Sequence, residues 1–457
     1  MIVSKKMSRK KSVFPRMVAV LLLAIIPIAF ITSPASRAAF QKTDADASAA
    51  GKSLMNPPVL GADLTYAGRP SVLIEVFNDP GEGDLMGQAM AEAGVRSLRF
   101  SFHGFYSPLG PEQTERVKAE NKLTNDYPWF PIDHYVDFIA AQNLTTVVAV
   151  NVEEGPDVAR TAIEKFIERG LRSKLVAVEL SNEPWLNPRP WLPEDFAVRA
   201  SEIILKLSPL GVRFALPLTV GDEQKTPTKL SDTVWTTRML TALDSRVKLS
   251  TRADVVGVAH LYGRGVNPGT IKKFNEVVKP FSPRMRYLVT EFNIRSSLQG
   301  NPHLSNPYAM EFARKVADLM RRPEIEALYV HSVPAHSIVY YSTRRFATVI
   351  GQRDPRITLS RENAGWHLTP AGRVYALYTK LAWNGQIVAF GGSDHQQYWT
   401  IRRQDGSLIT TFLNDSAKEY EFKIKVSGLN PSIKTGPRSI ACFDEQGKQV
   451  EALSLPY

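Results

Sequence analysis

Cysteine is almost absent from this sequence of 457 residues, which contains only Cys442. A single thiol excludes an intramolecular disulfide, a CxxC redox pair and a cysteine-rich zinc site. The thiol stands in the strand-like run IACFD, which favours a buried, inert side chain over a reactive one. The sequence also has no HExxH or GxSxG motif and no His/Asp cluster with metal-site spacing. No metal and no cofactor is therefore expected.

A long uncharged apolar run occurs only once, near the N-terminus. Residues 1–16 are basic, residues 17–31 are apolar, and small residues flank a cleavage position after Ala38. The apolar run is short for a membrane-spanning helix, which needs about 20 residues, and it contains Pro27. Residues 1–38 are accordingly predicted to be a signal peptide, with a retained N-terminal anchor as the alternative. The mature protein is expected to be secreted or periplasmic, with no stable membrane span.

The net charge of +11 at pH 7 comes mostly from this leader. Residues 1–38 hold seven Lys and Arg and no acid, which leaves 49 basic and 45 acidic residues, a net charge of +4, for the rest. The basic balance therefore gives little support for a nucleic-acid partner, and none is expected. A composition of 44% hydrophobic and 22% charged residues excludes wholesale disorder.

Eight nearly continuous apolar runs alternate with amphipathic stretches in the middle of the chain. The strand candidates are 71–76, 97–102, 145–152, 175–180, 213–218, 254–260, 286–292 and 325–333. Such runs are typical of parallel strands that are covered on both faces. Helix-period stretches lie between them, and the last begins with Thr369 as N-cap and Pro370 in the first turn. The pattern predicts an α/β fold, a (β/α)8 TIM barrel, with an open doubly wound sheet as the alternative.

The pattern changes after residue 385, where short strand-like runs and turn residues replace the helix period. This change predicts a β-sandwich-like module over residues 386–457. The barrel domain is assigned to residues 61–385, and the small polar residues 39–60 are assigned to a linker.

Two glutamates stand where predicted strands end. Glu183 in SNEPW follows the fourth strand, and Glu291 in TEFN closes the seventh. The C-terminal ends of barrel strands carry the chemistry in this fold, so both carboxylates are expected to face one pocket. Cleavage of a glycosidic bond needs one carboxyl to protonate the leaving oxygen and one to attack the anomeric carbon or activate water. The structural alternative is a pair of carboxylates held in ion pairs.

The segments VELSNEPW and YLVTEFN resemble the strand-four and strand-seven signatures of the clan A glycoside hydrolases, retaining enzymes built on TIM barrels. The resemblance implies that Glu183 is the acid/base, that Glu291 is the nucleophile and that Asn182 holds a sugar 2-hydroxyl. It covers roughly residues 60–385. The C-terminal module is similar to that of families 39, 51 and 79, but the motifs do not assign a family.

Further residues on the predicted strand ends fit the same resemblance. Arg99 resembles the arginine on strand two that braces the nucleophile in this clan. His260 and Tyr262 end the sixth strand, where the clan often places a His or Tyr, and His331 ends the eighth, where many members carry a Trp. The other predicted substrate-binding residues are Trp185, Asn151 and His103, and Tyr106, Trp129 and Trp191 are additional candidates for stacking on sugars. Each of these side chains could instead have a purely structural role, in an ion pair, in a hydrogen bond at a strand end or in a packing contact.

The sequence therefore predicts an exported retaining glycoside hydrolase that acts on an oligosaccharide or polysaccharide. Transglycosylation at the same site is one alternative. A catalytically silent polysaccharide-binding or exopolysaccharide-assembly protein is the other. A retaining mechanism requires the two carboxyl groups to lie about 5–5.5 Å apart.

Overall fold

Parallel strands form a closed barrel in the computed structural model, which describes residues 55–64, 80–102, 131–186, 190–221, 228–294, 305–331, 339–342, 365–382, 384–393, 395–423 and 432–455. The barrel strands are β1 (Val59–Asp63), β2 (Ser97–Ser101), β3 (Thr145–Val150), β4 (Leu175–Leu180), β5 (Phe214–Leu218), β6 (Val255–Tyr262), β7 (Tyr287–Asn293) and β8 (Ile325–His331). β1 pairs with both β2 and β8, so the sheet has no edge. The predicted TIM barrel is confirmed, and the open-sheet alternative is wrong.

In the described part of the chain, one α-helix lies after each barrel strand. The helices are α1 (Pro80–Glu92), α2 (Ile132–Ala141), α3 (Gly155–Glu168), α4 (Pro193–Leu207), α5 (Asp232–Val247), α6 (Pro268–Val278), α7 (Asn306–Met320) and α8 (Pro370–Ala382). Side-chain caps begin four of them. Ser231, Asn267 and Ser305 each accept a hydrogen bond from a backbone N–H of the first turn, and so does Thr369, as its sequence context predicts.

The strands are apolar on both faces because one face fills the barrel and the other meets the helices. Inside the barrel, side chains from β3 to β8 form a small buried cluster: Val147, Ala177, Ala215, Val256, Val258, Leu288, Ala327 and Tyr329. The larger core lies between the strands and the surrounding helices. This double burial explains why the strands appear in the sequence as continuous apolar runs.

The first barrel strand is β1, and the prediction that residues 71–76 form it is wrong. Those residues lie outside the described part of the chain, and β1 includes the last two residues of the predicted linker, Val59 and Leu60. Gly61 makes the sequence of β1 less typical of a strand, but the packing of the barrel explains why glycine stands there. A Cβ at this position would lie 2.7 Å from the Tyr329 ring and 2.7 Å from the Ser97 carbonyl oxygen. The barrel interior therefore requires glycine there.

A C-terminal antiparallel module follows α8. Strands β9 (Val339–Ser342) and β10 (Gly365–Leu368) pair before that helix. After it come β11 (Gln386–Gly392), β12 (Gln396–Arg402), β13 (Leu408–Asn414), β14 (Tyr420–Lys423), β15 (Ser432–Thr435), β16 (Ser439–Asp444) and β17 (Gln449–Ser454). Five of them form a sheet in the order β11-β12-β13-β16-β17, and β14 pairs with β15. Phe412, Phe422 and Ile433 form a buried cluster between the two sheets, as a sandwich requires.

The module packs against barrel helices within one compact unit, residues 52–457. Trp399 of β12 meets Tyr378 of α8 edge-to-face at 4.5 Å between ring centroids. Gln397 Nε2 donates to Asp318 Oδ1 of α7 at 3.0 Å. Cys442 lies in this module and is fully buried, as expected, and burial raises the pKa of its thiol to about 12.

None of the helices in the described part of the chain combines the length and the apolar character that crossing a membrane requires.

Candidate active site

Arg99 is the centre of a buried hydrogen-bond network that joins four strands. Its guanidinium is fully buried and donates from Nε and Nη2 to the two oxygens of Glu179, at 3.0 and 2.6 Å. Nη2 also donates to Asn182 Oδ1 at 2.6 Å. Nη1 donates to Glu291 Oε1 at 2.6 Å and to Asp63 Oδ1 at 3.3 Å. The one guanidinium therefore sets the positions of three carboxylates and an amide.

Basic and acidic side chains meet throughout this network. Arg99, His260 and His331 contact the carboxyl groups of Asp63, Glu179 and Glu291, and His260 also contacts that of Glu183. Burial would lower the pKa of Arg99, but the three carboxylates raise it well above its ordinary value. Burial also opposes protonation of His260, but Glu291 and Glu183 raise the pKa of its imidazole to about 9. A buried cluster of this size is stable only because each charge has an opposite partner.

The two predicted catalytic glutamates both approach the same nitrogen of His260. The imidazole Nδ1 is 3.0 Å from Glu183 Oε1 and 3.6 Å from Glu291 Oε2. One oxygen of each carboxylate and one nitrogen of His260 all lie within 4.8 Å of one another. The other ring nitrogen, Nε2, bonds Thr290 Oγ1 at 3.1 Å, which fixes the plane of the ring. The sequence prediction that the ends of β4 and β7 bring these glutamates together agrees with this geometry.

Glu291 is held ionised by its neighbours. Its side chain is 6% exposed, and burial alone would raise the pKa of the carboxyl. The charges of His260, Arg99 and His331, together with a hydrogen bond from the Tyr262 hydroxyl to Oε2, instead lower the pKa well below its usual range. Both Glu291 oxygens therefore accept hydrogen bonds, Oε1 from Arg99 and Oε2 from Tyr262.

His331 and Asp63 form the opposite side of the cluster, at the ends of β8 and β1. His331 Nδ1 lies 2.6 Å from Asp63 Oδ2 and 3.8 Å from Glu291 Oε2. Burial opposes protonation of His331, but the hydrogen bond to Asp63 and the charge of Glu291 raise its pKa. Asn293 Nδ2 donates to the His331 carbonyl at 2.6 Å, which ties the ends of β7 and β8 together.

The backbone departs from regular strand geometry where these side chains are presented. Ser181 and Glu183 have positive φ values of 75° and 41°, a conformation that costs a non-glycine residue about 1–3 kcal/mol. The register shifts between Ala259 and His260 in the β6–β7 pair, and between Val289 and Phe292 in the β7–β8 pair. Irregularities of this kind re-aim side chains, and here they occur next to Glu183, His260 and Glu291.

A cavity of about 480 Å³ opens beside Glu183 and His260. Its walls come from the ends of β5 and β6 and from the side of α6, and they are partly apolar, with Trp185, Leu218 and Phe274 among them. The volume suits a small-molecule ligand, for which cavities measure about 300–1,000 Å³.

Three predicted substrate-binding residues lie apart from this cluster or outside the described chain. Asn151 is 1% exposed and its Oδ1 accepts a hydrogen bond from the Glu153 N–H, so the structure shows a capping contact and its substrate contact stays a prediction. Trp185 is 6% exposed and packs edge-to-face on Trp235 at 5.4 Å, although it also borders the cavity. His103 falls outside the described residues.

Among the additional stacking candidates, Trp191 lies in the described part of the chain. Trp191 packs against Phe196 at 6.3 Å, which favours the packing interpretation over stacking on a sugar. Tyr106 and Trp129 are outside the described residues.

Sequence reasoning missed three members of the network: Asp63, Glu179 and Thr290. Asp63 was missed because β1 was placed at residues 71–76. Glu179 stands inside the motif VELSNEPW, four residues before Glu183, and a charged residue within an apolar strand is the signal that could have found it. Thr290 directly precedes Glu291 and gives no comparable signal.

Two triads could offer ligand atoms to a metal ion: Asp63, Glu291 and His331, and Glu183, His260 and Glu291. Both include Glu291, whose Oε1 already accepts a hydrogen bond from Arg99 Nη1 at 2.6 Å. A divalent cation bound here would lie close to a buried guanidinium that has no route to lose its charge. The donor set therefore fits a hydrogen-bonded ionic network better than a metal centre.

Comparison with known proteins shows likeness in fold but not in sequence. No protein-family model matches the chain, and no curated protein is similar to it in sequence. An endo-beta1,6-glucanase aligns over 85% of this chain and 91% of its own, with 12% identity and a TM-score of 0.53. A 4-O-alpha-L-rhamnosyl-beta-D-glucuronidase from Fusarium oxysporum 12S aligns over 88% of this chain and 95% of its own, with 11% identity and a TM-score of 0.51.

A GH39 beta-xylosidase from Caulobacter crescentus aligns over 79% of each chain, with 15% identity and a TM-score of 0.49. The fold expected from the resemblance to the clan A glycoside hydrolases, a closed barrel of eight parallel strands, is the one observed. The glucanase and the glucuronidase are similar to this chain in fold, and no family is assigned.

Proposed function

We propose that this protein is an exported retaining glycoside hydrolase, with Glu291 as the nucleophile and Glu183 as the general acid/base. One observation carries the proposal: an oxygen of each carboxylate lies within 4.8 Å of the other, and both carboxylates approach Nδ1 of His260. This separation supports direct attack by one carboxylate, since inverting enzymes keep their carboxyl groups about 6.5–9.5 Å apart to make room for water.

In the first step, Glu291 Oε2, on the side of Glu183, attacks the anomeric carbon of the substrate. The bond from that carbon to the leaving oxygen breaks, and Glu183 gives its proton to the leaving oxygen. A covalent glycosyl-enzyme ester results. The low pKa of Glu291, caused by the cations around its buried carboxyl, supports this assignment because only the ionised form is a nucleophile.

In the second step, Glu183 removes a proton from a water molecule, which attacks the same carbon and releases Glu291. His260 supports this exchange of roles, because its Nδ1 contacts Glu183 Oε1 and its Nε2 is fixed by Thr290. Two inversions at one carbon give net retention of configuration.

Asn182 is placed to bind the sugar next to the nucleophile. Its Oδ1 faces the Arg99 guanidinium, which can only donate, so the Nδ2 amide remains a donor for a sugar hydroxyl. The cavity of about 480 Å³ beside Glu183 would take the leaving group, because the oxygen that Glu183 protonates belongs to that group.

The substrate class that we propose is an oligosaccharide or polysaccharide. Two structural neighbours, a glucanase and a glucuronidase, support this class, and the predicted signal peptide at residues 1–38 supports a substrate outside the cytoplasm. The proposal therefore covers the class of substrate, and not a particular sugar or linkage.

Hydrolysis tests this proposal directly. The chain from residue 39 is purified and assayed against aryl glycosides and polysaccharides, with Glu291→Gln as the matched variant. Turnover that disappears in Glu291→Gln is expected. Specific glycan binding without turnover on any member of the panel would instead favour a silent binding protein.

A further inference from the structure

A second cavity, of about 580 Å³, lies between the barrel and the C-terminal module. Its walls are the chain that enters β1, Arg96 before β2, the end of α8 and the turn between β12 and β13. Pro57, Pro58 and Arg96 mark the amino ends of the strands, whereas the cluster around Glu291 lies at their carboxyl ends. β1 alone spans about 13 Å between the two ends, so this cavity is separate from the proposed active site.

Three arginines line this cavity, and none of its lining residues is acidic in the part of the chain that the structure describes. They are Arg96, Arg402 and Arg403. The guanidinium groups of Arg402 and Arg403 have no ion-pair partner among the described residues. Asp405 lies near enough to Arg403 to interact with it electrostatically, but its carboxylate is not part of the lining, so the lining itself carries positive charge alone.

The walls of the cavity are held in place by backbone hydrogen bonds. Met55 and Ile387 exchange two hydrogen bonds, which attaches the chain entering β1 to β11. On the other side, the Arg403 N–H donates to the Ser407 carbonyl, and the Gly406 N–H donates to the Arg403 carbonyl. Gly406 adopts a φ of 85°, which its lack of a Cβ permits, and Asp405 Oδ1 accepts from the backbone N–H and hydroxyl of Ser407. Arg403 therefore projects from a defined turn.

The remaining lining groups are partly polar and partly apolar. Asn56, Gln386 and Gln404 supply amides, Gly385 has no side chain to occupy the space, and the chain from Pro57 to Leu60 supplies an apolar wall. Guanidinium groups bind carboxylate, sulfate and phosphate through paired hydrogen bonds, and side-chain amides bind hydroxyls. The volume falls within the range of about 300–1,000 Å³ that small-molecule ligands occupy.

We propose that this cavity binds an acidic oligosaccharide segment, a short run of sugars that carries carboxylate or sulfate groups. The assignment of a saccharide depends on the proposed glycosidase function, whereas the preference for an oxyanion depends only on the arginines. The site would hold a charged part of the polymer on the opposite end of the barrel from the glutamates. It would raise affinity for long acidic chains without taking part in bond cleavage.

Calorimetric titration of the chain from residue 39 tests this inference. The probes are tetragalacturonate, a chondroitin sulfate tetrasaccharide, a neutral tetrasaccharide and inorganic sulfate. The variant is Arg402→Gln/Arg403→Gln, and the matched control is Arg373→Gln, which removes an exposed arginine from α8. At least one acidic tetrasaccharide should bind, and the double variant should bind it roughly tenfold more weakly or worse, because charge-assisted hydrogen bonds are lost.

The proposal is overturned if neither acidic tetrasaccharide binds, or if the double variant binds as the unmodified chain does. It is also overturned if the neutral tetrasaccharide or inorganic sulfate binds as tightly as the acidic probes. Hydrolysis of a small aryl glycoside is measured in parallel and should be unchanged in the double variant. Weaker binding with normal hydrolysis in the double variant would show that this site is separate from the active site. If the unmodified chain binds an acidic tetrasaccharide but hydrolyses nothing, only the proposed glycosidase function is contradicted.

Discussion

Arg99 Nη1 donates to Glu291 Oε1 at 2.6 Å, and both side chains are almost completely buried. The contact explains how a buried carboxylate can remain charged in the proposed active site. The cations around Glu291 offset the desolvation that would otherwise protonate it. This arrangement is expected to control the stability of the fold, the pH dependence of the proposed reaction and both of its steps.

Arg99→Met should destabilise the protein strongly, because the carboxyl groups of Asp63 and Glu179 would be fully buried without the guanidinium that contacts both. Breaking a buried ion pair by removing one partner costs about 3–5 kcal/mol. Denaturant unfolding measures the change. The control is Arg213→Met. The Arg213 side chain is 36% exposed in its ion pair with Glu326, so its replacement should lower the free energy of unfolding by about 1 kcal/mol or less. Similar losses in the two variants would contradict the assigned role of Arg99.

Tyr262→Phe should move the acid limb of the kcat/KM profile to higher pH. The tyrosine hydroxyl lowers the pKa of Glu291 by donating to Oε2, so its removal raises that pKa and the nucleophile loses its charge at a higher pH. Tyr308→Phe is the matched control, since the Tyr308 hydroxyl donates to Asn293 Oδ1 and not to Glu291. An acid limb that stays in place in Tyr262→Phe, or moves equally in both variants, would show that this hydrogen bond does not set the charge of Glu291.

His260 should make the folded state more stable at neutral pH than at alkaline pH. The pKa of its imidazole rises from 6.5 to about 9 on folding, so the stabilisation is complete below about pH 6.5 and disappears as the pH rises through 9. A shift of this size corresponds to about 3 kcal/mol. Urea unfolding from pH 6 to 9.5 should therefore show a steeper loss of stability than in His260→Asn. His395→Asn, which replaces an imidazole that is 63% exposed, should keep the slope of the unmodified chain.

Glu183→Gln should reduce turnover about 10²- to 10⁴-fold on substrates whose leaving group needs a proton. On an aryl glycoside with a very acidic phenol, the first step should be nearly unaffected, because that phenolate leaves without protonation. Pre-steady-state kinetics would then show a burst of phenol, since the second step still lacks its base. An equal loss on both kinds of substrate, with no burst, would remove the acid/base role from Glu183.

The sequence predicts most of this fold because the barrel strands are buried on both faces and therefore appear as continuous apolar runs. β3 and β4 show this most clearly, with TTVVAV and LVAVEL. β1, with the sequence VLGAD, does not, because the close approach of Tyr329 and the Ser97 carbonyl imposes Gly61 and because Asp63 serves the charged network. At β1 the packing around Gly61 and the ion pairs of Asp63 decide the residue types, not the preference of each residue for a strand. The pattern of one sequence does not show such contacts.

The candidate site also contains residues that the sequence predicts and residues that only the fold brings together. Glu183, Glu291, Arg99, His260 and Tyr262 stand at strand ends in motifs that can be recognised, and the structure brings all five together. Asp63 and His331 meet only because β1 closes against β8, a pairing between residues 268 positions apart. Trp185 could not be assigned from the sequence, because whether an indole faces a sugar or packs on Trp235 depends on the path of the chain after Glu183.

The covalent intermediate on Glu291 is the central claim, and trapping it is the most direct test. Once the screen has identified a hydrolysed sugar, its 2-deoxy-2-fluoro glycoside with a good leaving group is incubated with the chain, and the digested protein is analysed by mass spectrometry. The account predicts one sugar unit attached to the peptide that contains Glu291, and none in Glu291→Gln. A label on another carboxylate, or no adduct together with a product of inverted configuration, would contradict it.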